Sequence, residues 1–311
     1  MTLFSAPFFH DEQAAFAKLE SIIWPTGAVC PHCGGVDRVS AIKGKSARIG
    51  LKFCGHCRKQ FTVKVGTVFE SSHIPLHKCL QAAFLLTSSK KGFSAHQLHR
   101  VLGITYKSAW FLAHRIREAM RTGSLGPMGG KFGICEADET FIGKDKTVEP
   151  RKGHKAKGAH FKMKVLSLID RDTGMARSVV IDDLKKNTIV PILRDNIAKE
   201  TMVVTDEAPY YRSLRRLFAD HSFVNHNAGE YGRGDIHTNT VEGFFSIFKR
   251  GMKGVYQHCS HKHLHRYLAE FDFRYSNRSA KGIEDAQRAT NALRGVVGKR
   301  LTYRRIGSQL A

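Results

Sequence analysis

Lys131-Phe-Gly-Ile-Cys-Glu-Ala-Asp-Glu-Thr-Phe-Ile142 places three acids inside an otherwise apolar stretch. Its alternation predicts a β-strand, with Glu136 and Asp138 on one face and Glu139 on the other. Carboxylates inside a strand are costly unless a cation or a protein partner balances them. Working outward, Lys164–Asp170, a turn at Arg171-Asp-Thr-Gly174 and Ala176–Asp182 predict an antiparallel hairpin. Asn187-Thr188 opens a helix running to about Lys199. Met202-Val-Val-Thr-Asp206 is a short apolar strand ending on a second acid, the position where ligand-bearing acids collect in α/β sheets. A short basic helix is expected over Ser213–Phe218, and the polar, glycine-rich run His221–His237 is expected to be loop.

That loop leads into His237-Thr-Asn-Thr-Val-Glu-Gly-Phe-Phe-Ser-Ile-Phe-Lys-Arg250. Glu242 and Lys249 are seven residues apart, almost two helical turns, so they share a face with Ser246 while Phe244, Phe245 and Phe248 turn to a core. Alone, such a pair is most often a solvated ion pair on an amphipathic helix. Set beside Asp138 and Asp206, Glu242 becomes a third carboxylate. The element order predicts an α/β, ribonuclease H-like catalytic domain over residues 131–278, whose mixed sheet gathers the three acids at one edge. Oxygen-only ligands select Mg²⁺ or Mn²⁺, and a pair of such ions suits phosphodiester chemistry, with Lys249 holding a phosphate.

The chain has 311 residues with 50 Lys and Arg against 27 acids, a net charge of +23. That balance implies a polyanionic partner, nucleic acid before an anionic membrane. No apolar run reaches the ~18 residues of a membrane span, and the start, MTLFSAPFFHDEQ, lacks the pattern of a secretory signal, so a cytoplasmic or nucleoid location is expected.

Toward the N-terminus, Cys30-Pro-His-Cys33 and Cys54-Gly-His-Cys57 have zinc-ribbon spacing. Four thiolates form a closed, structural Zn²⁺ site for a segment too small to hold itself together, and residues 1–73 form one region. Residues 74–121 are expected to be helical with helix-turn-helix grammar: Ser94 caps one helix, Gly103 ends it and Thr105 caps the next. The second helix is expected to offer Tyr106, Lys107, Ser108, His114, Arg115 and Arg117 to DNA, with Leu98, Leu102, Trp110 and Ile116 inside. Residues 122–130 are a glycine- and proline-rich linker. The basic run 144–164, with Lys152 and Lys155, is expected to be a flexible phosphate clamp, and Arg250 and Lys253 extend the basic face beyond Lys249. His258, Cys259, His261, His263 and His265 match no tetrahedral zinc motif and favour a phosphate-facing helix; residues 279–311 are expected to be a basic tail.

CPHC, CGHC, KVGTVFESSHIPL, EADETFIG, VVTDEAPYY and HTNTVEGFFSIFKRG, spread over most of residues 24–255, resemble an insertion-sequence transposase of the acidic-triad (DDE) class with an N-terminal zinc ribbon. The resemblance implies that Asp138, Asp206 and Glu242 are the metal-binding acids and Lys249 the basic residue that follows. Relatives differ in which residue serves third, some placing an asparagine there, so Asn239 is an alternative or partner to Glu242 in that role, and His237 is a further candidate. It also implies binding to the terminal inverted repeats of a mobile element, metal-dependent cleavage, 3′-hydroxyl strand transfer and a homo-oligomer. Two other functions fit the residues: a DNA-binding regulator with an inactive domain, and a structure-selective nuclease.

Overall fold

The computed structural model describes residues 3–44, 46–121, 123, 126–149, 157–230 and 232–302. They fall into two compact units, residues 1–121 with 282–311, and residues 122–281.

In the first unit, α1 (Glu12–Ile23) starts where the Asp11 carboxylate accepts a bond from the Ala14 amide at 2.7 Å. Three short strands, β1 (Val39–Ala41), β2 (Lys52–Cys54) and β3 (Gln60–Phe61), form an antiparallel ribbon in that order. Then comes α2 (Leu76–Ser88), whose first amides donate to the Glu12 carboxylate of α1 at 2.7 and 3.1 Å. A distant acid thus supplies the cap that Pro75 lacks. The next two helices are α3 (Ala95–Leu102) and α4 (Tyr106–Met120). Ser94 forms a reciprocal capping box with Gln97, Gly103 takes the left-handed conformation that ends α3, and Thr105 caps α4, as the residue types predict.

The exposed face expected of α4 is narrower than its sequence suggests. Tyr106 and Lys107 are exposed and Ser108 is half-buried, but His114, Arg115 and Arg117 retain only 1%, 8% and 2% of their surface. The helix packs on both α2 and α3, so its covered arc extends beyond the row Ala109, Leu112, Ile116 and Met120. Arg115 instead lays its guanidinium over the Phe111 ring, 4.9 Å from the centroid. Trp110, expected inside, is half-buried.

The second unit is built on β4 (Ile134–Ile142), β5 (Met163–Asp170), β6 (Ala176–Ile181), β7 (Met202–Asp206) and β8 (Asp220–Val224). Their spatial order is β6-β5-β4-β7-β8. The first three are antiparallel neighbours, and β7 and β8 run parallel to β4, the mixed sheet of a ribonuclease H-like fold. Between β6 and β7 lies α5 (Lys186–Asn196); after β8 come α6 (Asn239–Gly251) and α7 (His261–Ser276). Cys135 and Ala137 of β4 join Leu166 and Leu168 of β5 against Ile189 and Leu193 of α5. On the opposite face, Ile142, Val165 and Ile169 meet Phe244, Phe245 and Phe248 of α6 and Phe271 of α7. Two local expectations differ. Ser213–Phe218 is not an α-helix but holds a single 3₁₀ turn, Leu214–Arg216. The loop expected from His221 begins instead with β8, an edge strand whose only sheet neighbour is β7, so it carries no apolar run.

The region expected to be a basic tail, 279–311, contains α8 (Asp285–Arg294), which packs on α1, α2 and α4 of the first unit. Its positive charge hides an amphipathic pattern: Ala289, Ala292 and Leu293 are buried, and so is Arg288, which donates to the Ile283 carbonyl at 3.0 Å and the Thr87 carbonyl at 3.3 Å. A Cβ added at Gly295 meets the Ala119 carbonyl oxygen at 2.2 Å, so the chain is tightly docked there. Residues 303–311 lie outside the described residues. Leu293→Ala is therefore expected to lower unfolding free energy by about 2–4 kcal/mol, read from the urea midpoint; a solvated arm loses nothing on truncation.

Candidate active site

The four cysteine sulfurs of the ribbon lie within 4.8 Å of one another. Cys30 and Cys57 are 3.6 Å apart, as are Cys33 and Cys54. Zn–S bonds of ~2.3 Å in a tetrahedron put sulfurs about 3.8 Å apart, so the cluster fits a structural Zn²⁺. Backbone amides of Cys57 and His56 pull the Cys54 thiol down to about 6, toward the thiolate a metal requires. The knuckles close through left-handed residues, Gly34 (φ 76) in the first and Arg58 (φ 55) in the second. His56 is engaged elsewhere, 2.6 Å from Asp37.

In the second unit, β4 and β7 pair Ile134 with Met202, Cys135 with Val203 and Glu136 with Val204. Every pair is 68 residues apart, and so are Asp138 and Asp206, which therefore stand level and on the same face. The ladder stops at Glu136 and Val204, so the aspartates occupy the crevice where the strands part at their carboxyl ends. Burial, then the charges of Glu139, Asp206 and Glu242, push the Asp138 carboxyl up to about 8 against the pull of the Glu139 amide. Burial also raises Asp206, offset by the Ala208 amide at 3.0 Å. Glu139 points to the α5 face, as the alternation predicts, where Tyr211 and Tyr210 donate hydroxyls to it; burial raises its carboxyl to about 7.

Glu242 lies in the first turn of α6, its carboxylate half-exposed. It accepts the Thr238 hydroxyl at 2.7 Å and lies 3.7 Å from the His226 imidazole. What holds this turn against the sheet is Glu136, which has no exposed surface. One of its oxygens accepts from Arg171 Nε at 2.5 Å and the other from the Val241 amide at 2.8 Å. Val241 is the third residue of α6, so Glu136 satisfies an orphan amide of the helix from inside the sheet. Arg171 also donates to the carbonyls of Asp235 and His237 at 2.6 and 2.7 Å, and His237 Nδ1 is 3.3 Å from Glu136. In the sequence Arg171 is only part of a hairpin turn; nothing in its neighbourhood signals a partner 66 residues away. For Glu136 the signal was its place inside an apolar strand.

The other expected residues are spread more widely. Asn239 is exposed at the first position of α6. Lys249 is half-buried, its amine 6.0 Å from the Phe245 ring centroid. Arg250 and Lys253 are exposed. Lys152 and Lys155 lie outside the described residues. Among the described residues only the four cysteines bring three or more ligand atoms within 4.8 Å, so the three carboxylates are less tightly drawn together. Their donor set is all oxygen, with Asp138 and Asp206 partly buried and Glu242 exposed, and it fits Mg²⁺ or Mn²⁺.

Comparison with known proteins follows the same division. An ISXO2-like transposase domain matches residues 132–276, and a transposase zinc-ribbon domain matches residues 10–60. The chain belongs to the insertion-sequence transposases with an N-terminal zinc ribbon. This transposase is 28% identical over 281 residues to an uncharacterized protein in transposable element ISH50 of Halobacterium salinarum, covering 86% of this chain and 91% of that protein. It is 24% identical over 104 residues to an uncharacterized transposase-like protein of Haemophilus influenzae, covering 33% of this chain and 83% of that protein. Among solved structures it is similar to a chain of the simian T-cell lymphotropic virus intasome in complex with PP2A regulatory subunit B56 gamma (14% identity, TM-score 0.30), covering 56% of this chain and 63% of that one, just under two thirds. It is also similar to a chain of a pre-cleavage Mos1 transpososome (11% identity, TM-score 0.27), covering 70% of this chain and 74% of that one. The sheet order, with β7 and β8 parallel to β4, is that of a ribonuclease H-like fold. Among the described residues no helix is long and apolar enough to cross a membrane.

Two outcomes are expected. Cys54→Ser removes hydrogen-exchange protection from β1–β3 while β4–β8 stay protected; loss of both together contradicts a zinc site that organises only its own unit. Asp138 keeps its proton to about pH 8 in the folded state but loses it near 3.9 when unfolded. In magnesium-free buffer, wild-type stability therefore falls as pH rises from 4 to 8. Asp138→Asn flattens that slope in calorimetry at pH 5, 6.5 and 8, and Mg²⁺ stabilises wild type at pH 8 more than the variant.

Proposed function

We propose that Asp138, Asp206 and Glu242 hold the divalent cations of a polynucleotidyl transferase that cleaves double-stranded DNA at the ends of a mobile element and joins the 3′-hydroxyls to target DNA. The observation that carries this is the level placement of Asp138 and Asp206 where two parallel strands part, with the charge of Glu242 reaching Asp138. Bound there, Mg²⁺ or Mn²⁺ supplies Lewis-acid polarisation of the phosphodiester and eases deprotonation of the attacking water or hydroxyl. The protein's own contributions are positional. Glu136 and Arg171 anchor the start of α6 and so fix where Glu242 stands; Thr238 orients its carboxylate. Lys249, two turns along the helix, meets a DNA phosphate beside the acids. Glu242 rather than Asn239 serves as third ligand, because its charge acts on Asp138 and its carboxylate is oriented by the Thr238 hydroxyl.

The net charge of +23 supports a DNA partner, and joining two ends favours a homo-oligomer. Tyr106, Lys107 and Ser108 are the groove-facing candidates on α4; Arg115 and Arg117 are too buried to serve. The test is cleavage of a duplex carrying the inverted repeats that flank the gene, with Mg²⁺. Asp206→Asn and Glu242→Gln are expected to lose at least about 1,000-fold in rate, the scale of a several-kcal/mol electrostatic contribution. Asn239→Ala is expected to stay within tenfold. An Asp206→Asn protein that cleaves like wild type sinks the assignment.

A further inference from the structure

A second concavity of the transposase unit lies along the same strand as Asp138. It has a volume of about 640 Å³, within the range of small-molecule sites. Ile142 and Met163, which pair across β4 and β5, line it together with Met252 beyond α6, and all three side chains are buried. Around this apolar floor stand Lys144, Lys146, Lys253 and Lys262, all exposed, and among the described residues no acid lines it. The nearby Asp145 is buried, and its Oδ1 accepts the Thr147 amide and hydroxyl at 2.9 and 2.6 Å. One wall is a π-turn, Met252–Tyr256, followed by Gln257 in a left-handed conformation (φ 57), a strained backbone of the kind found at functional sites. His258, Cys259 and His261 also line the cavity, and they form no metal-ligand group among the described residues.

We propose that this cavity takes one unpaired nucleotide of the DNA strand, its base on the Ile142, Met163 and Met252 floor and its flanking phosphates on the lysines. A paired backbone running past would use the lysines but not the apolar floor, and a free apolar ligand would use the floor but not the lysines. An unstacked nucleotide of a DNA strand uses both. Ile142 is four residues from Asp138 on the same face of β4, about 13 Å at ~3.3 Å per residue, or about four steps of ~3.4 Å along a B-form strand. The unpaired nucleotide therefore lies within a few positions of the bond acted on. This placement rests on Asp138, Asp206 and Glu242 being the DNA-cleaving centre.

The test measures binding of the full chain, without Mg²⁺, to a fluorescein-labelled oligothymidylate of eight nucleotides and to an abasic oligonucleotide of equal length. Wild type is expected to bind the base-bearing strand about tenfold more tightly. Cys259→Trp, which fills the cavity, is expected to abolish that preference while leaving abasic binding unchanged. Lys253→Ala/Lys262→Ala is expected to weaken both strands and lower the salt dependence of log K by about 1.4, two phosphates at ~0.7 each, while keeping the ratio. A cavity that had simply misfolded loses both signatures in both variants. Equal wild-type binding of the two strands, or a preference that survives Cys259→Trp, overturns the proposal. Cleavage by Asp206→Asn is scored separately: an active variant with an intact base preference refutes the catalytic assignment alone, and an inactive one with no base preference in wild type refutes the nucleotide site alone.

Discussion

A buried carboxylate joins the sheet of the catalytic unit to the helix that completes its acidic site. Glu136 has no exposed surface, yet one oxygen meets Arg171 and the other the Val241 amide at the start of α6. A charge taken that far from water is tolerated only when paired and hydrogen-bonded, and removing one partner of such a pair costs about 3–5 kcal/mol. That penalty restricts alternative placements of α6. The same Arg171 holds the carbonyls of Asp235 and His237, so the polar segment leading into the helix is tied to the hairpin turn between β5 and β6. Packing of Phe244, Phe245 and Phe248 supplies most of the adhesion, and Glu136 sets the position.

Fixing that helix places Glu242 where its charge reaches Asp138. Asp138 is held well above the ordinary carboxylate range, and its first cause is burial. In the proposed function a divalent cation would relieve the cost of ionising these acids, and oxygen donors would favour a hard ion. Glu139, adjacent in sequence, is kept apart on the other face by the pleat and satisfied by two tyrosine hydroxyls. Two adjacent acids therefore have different hydrogen-bond partners, while the charge of Glu139 still raises Asp138.

The other unit solves a different problem. Within the ribbon Cys30, Cys54 and Phe61 form a small buried cluster, with Trp24 edge-on to Phe61 at 5.9 Å, little apolar surface to hold three strands of two or three residues. Four sulfurs at tetrahedral separations supply the missing cohesion. The helices around it rely on conventional packing and on caps, including one from Glu12 that reaches α2 across the sequence.

What could be learned from sequence alone was whatever depends on neighbours along the chain. The cysteine spacing, the caps at Ser94, Gly103 and Thr105, the alternation in β4, the hairpin after it and the amphipathic face of α6 are all set by periods of two or 3.6 residues or by turn chemistry. Tertiary structure decided the rest. The edge strand β8 has no apolar alternation because it is shielded on one side only, and α8 looked like a basic tail because its buried face holds only two alanines and one leucine beside Arg288. Burial of Arg115 and Arg117 depends on helices that approach α4 from elsewhere, which no periodicity within α4 encodes. The capping of α6 by Glu136 and the level placement of Asp138 and Asp206 are consequences of strand register and of contacts between residues 68 to 105 positions apart. Local propensity is blind to such distances, because the energy that fixes them exists only once the sheet has closed.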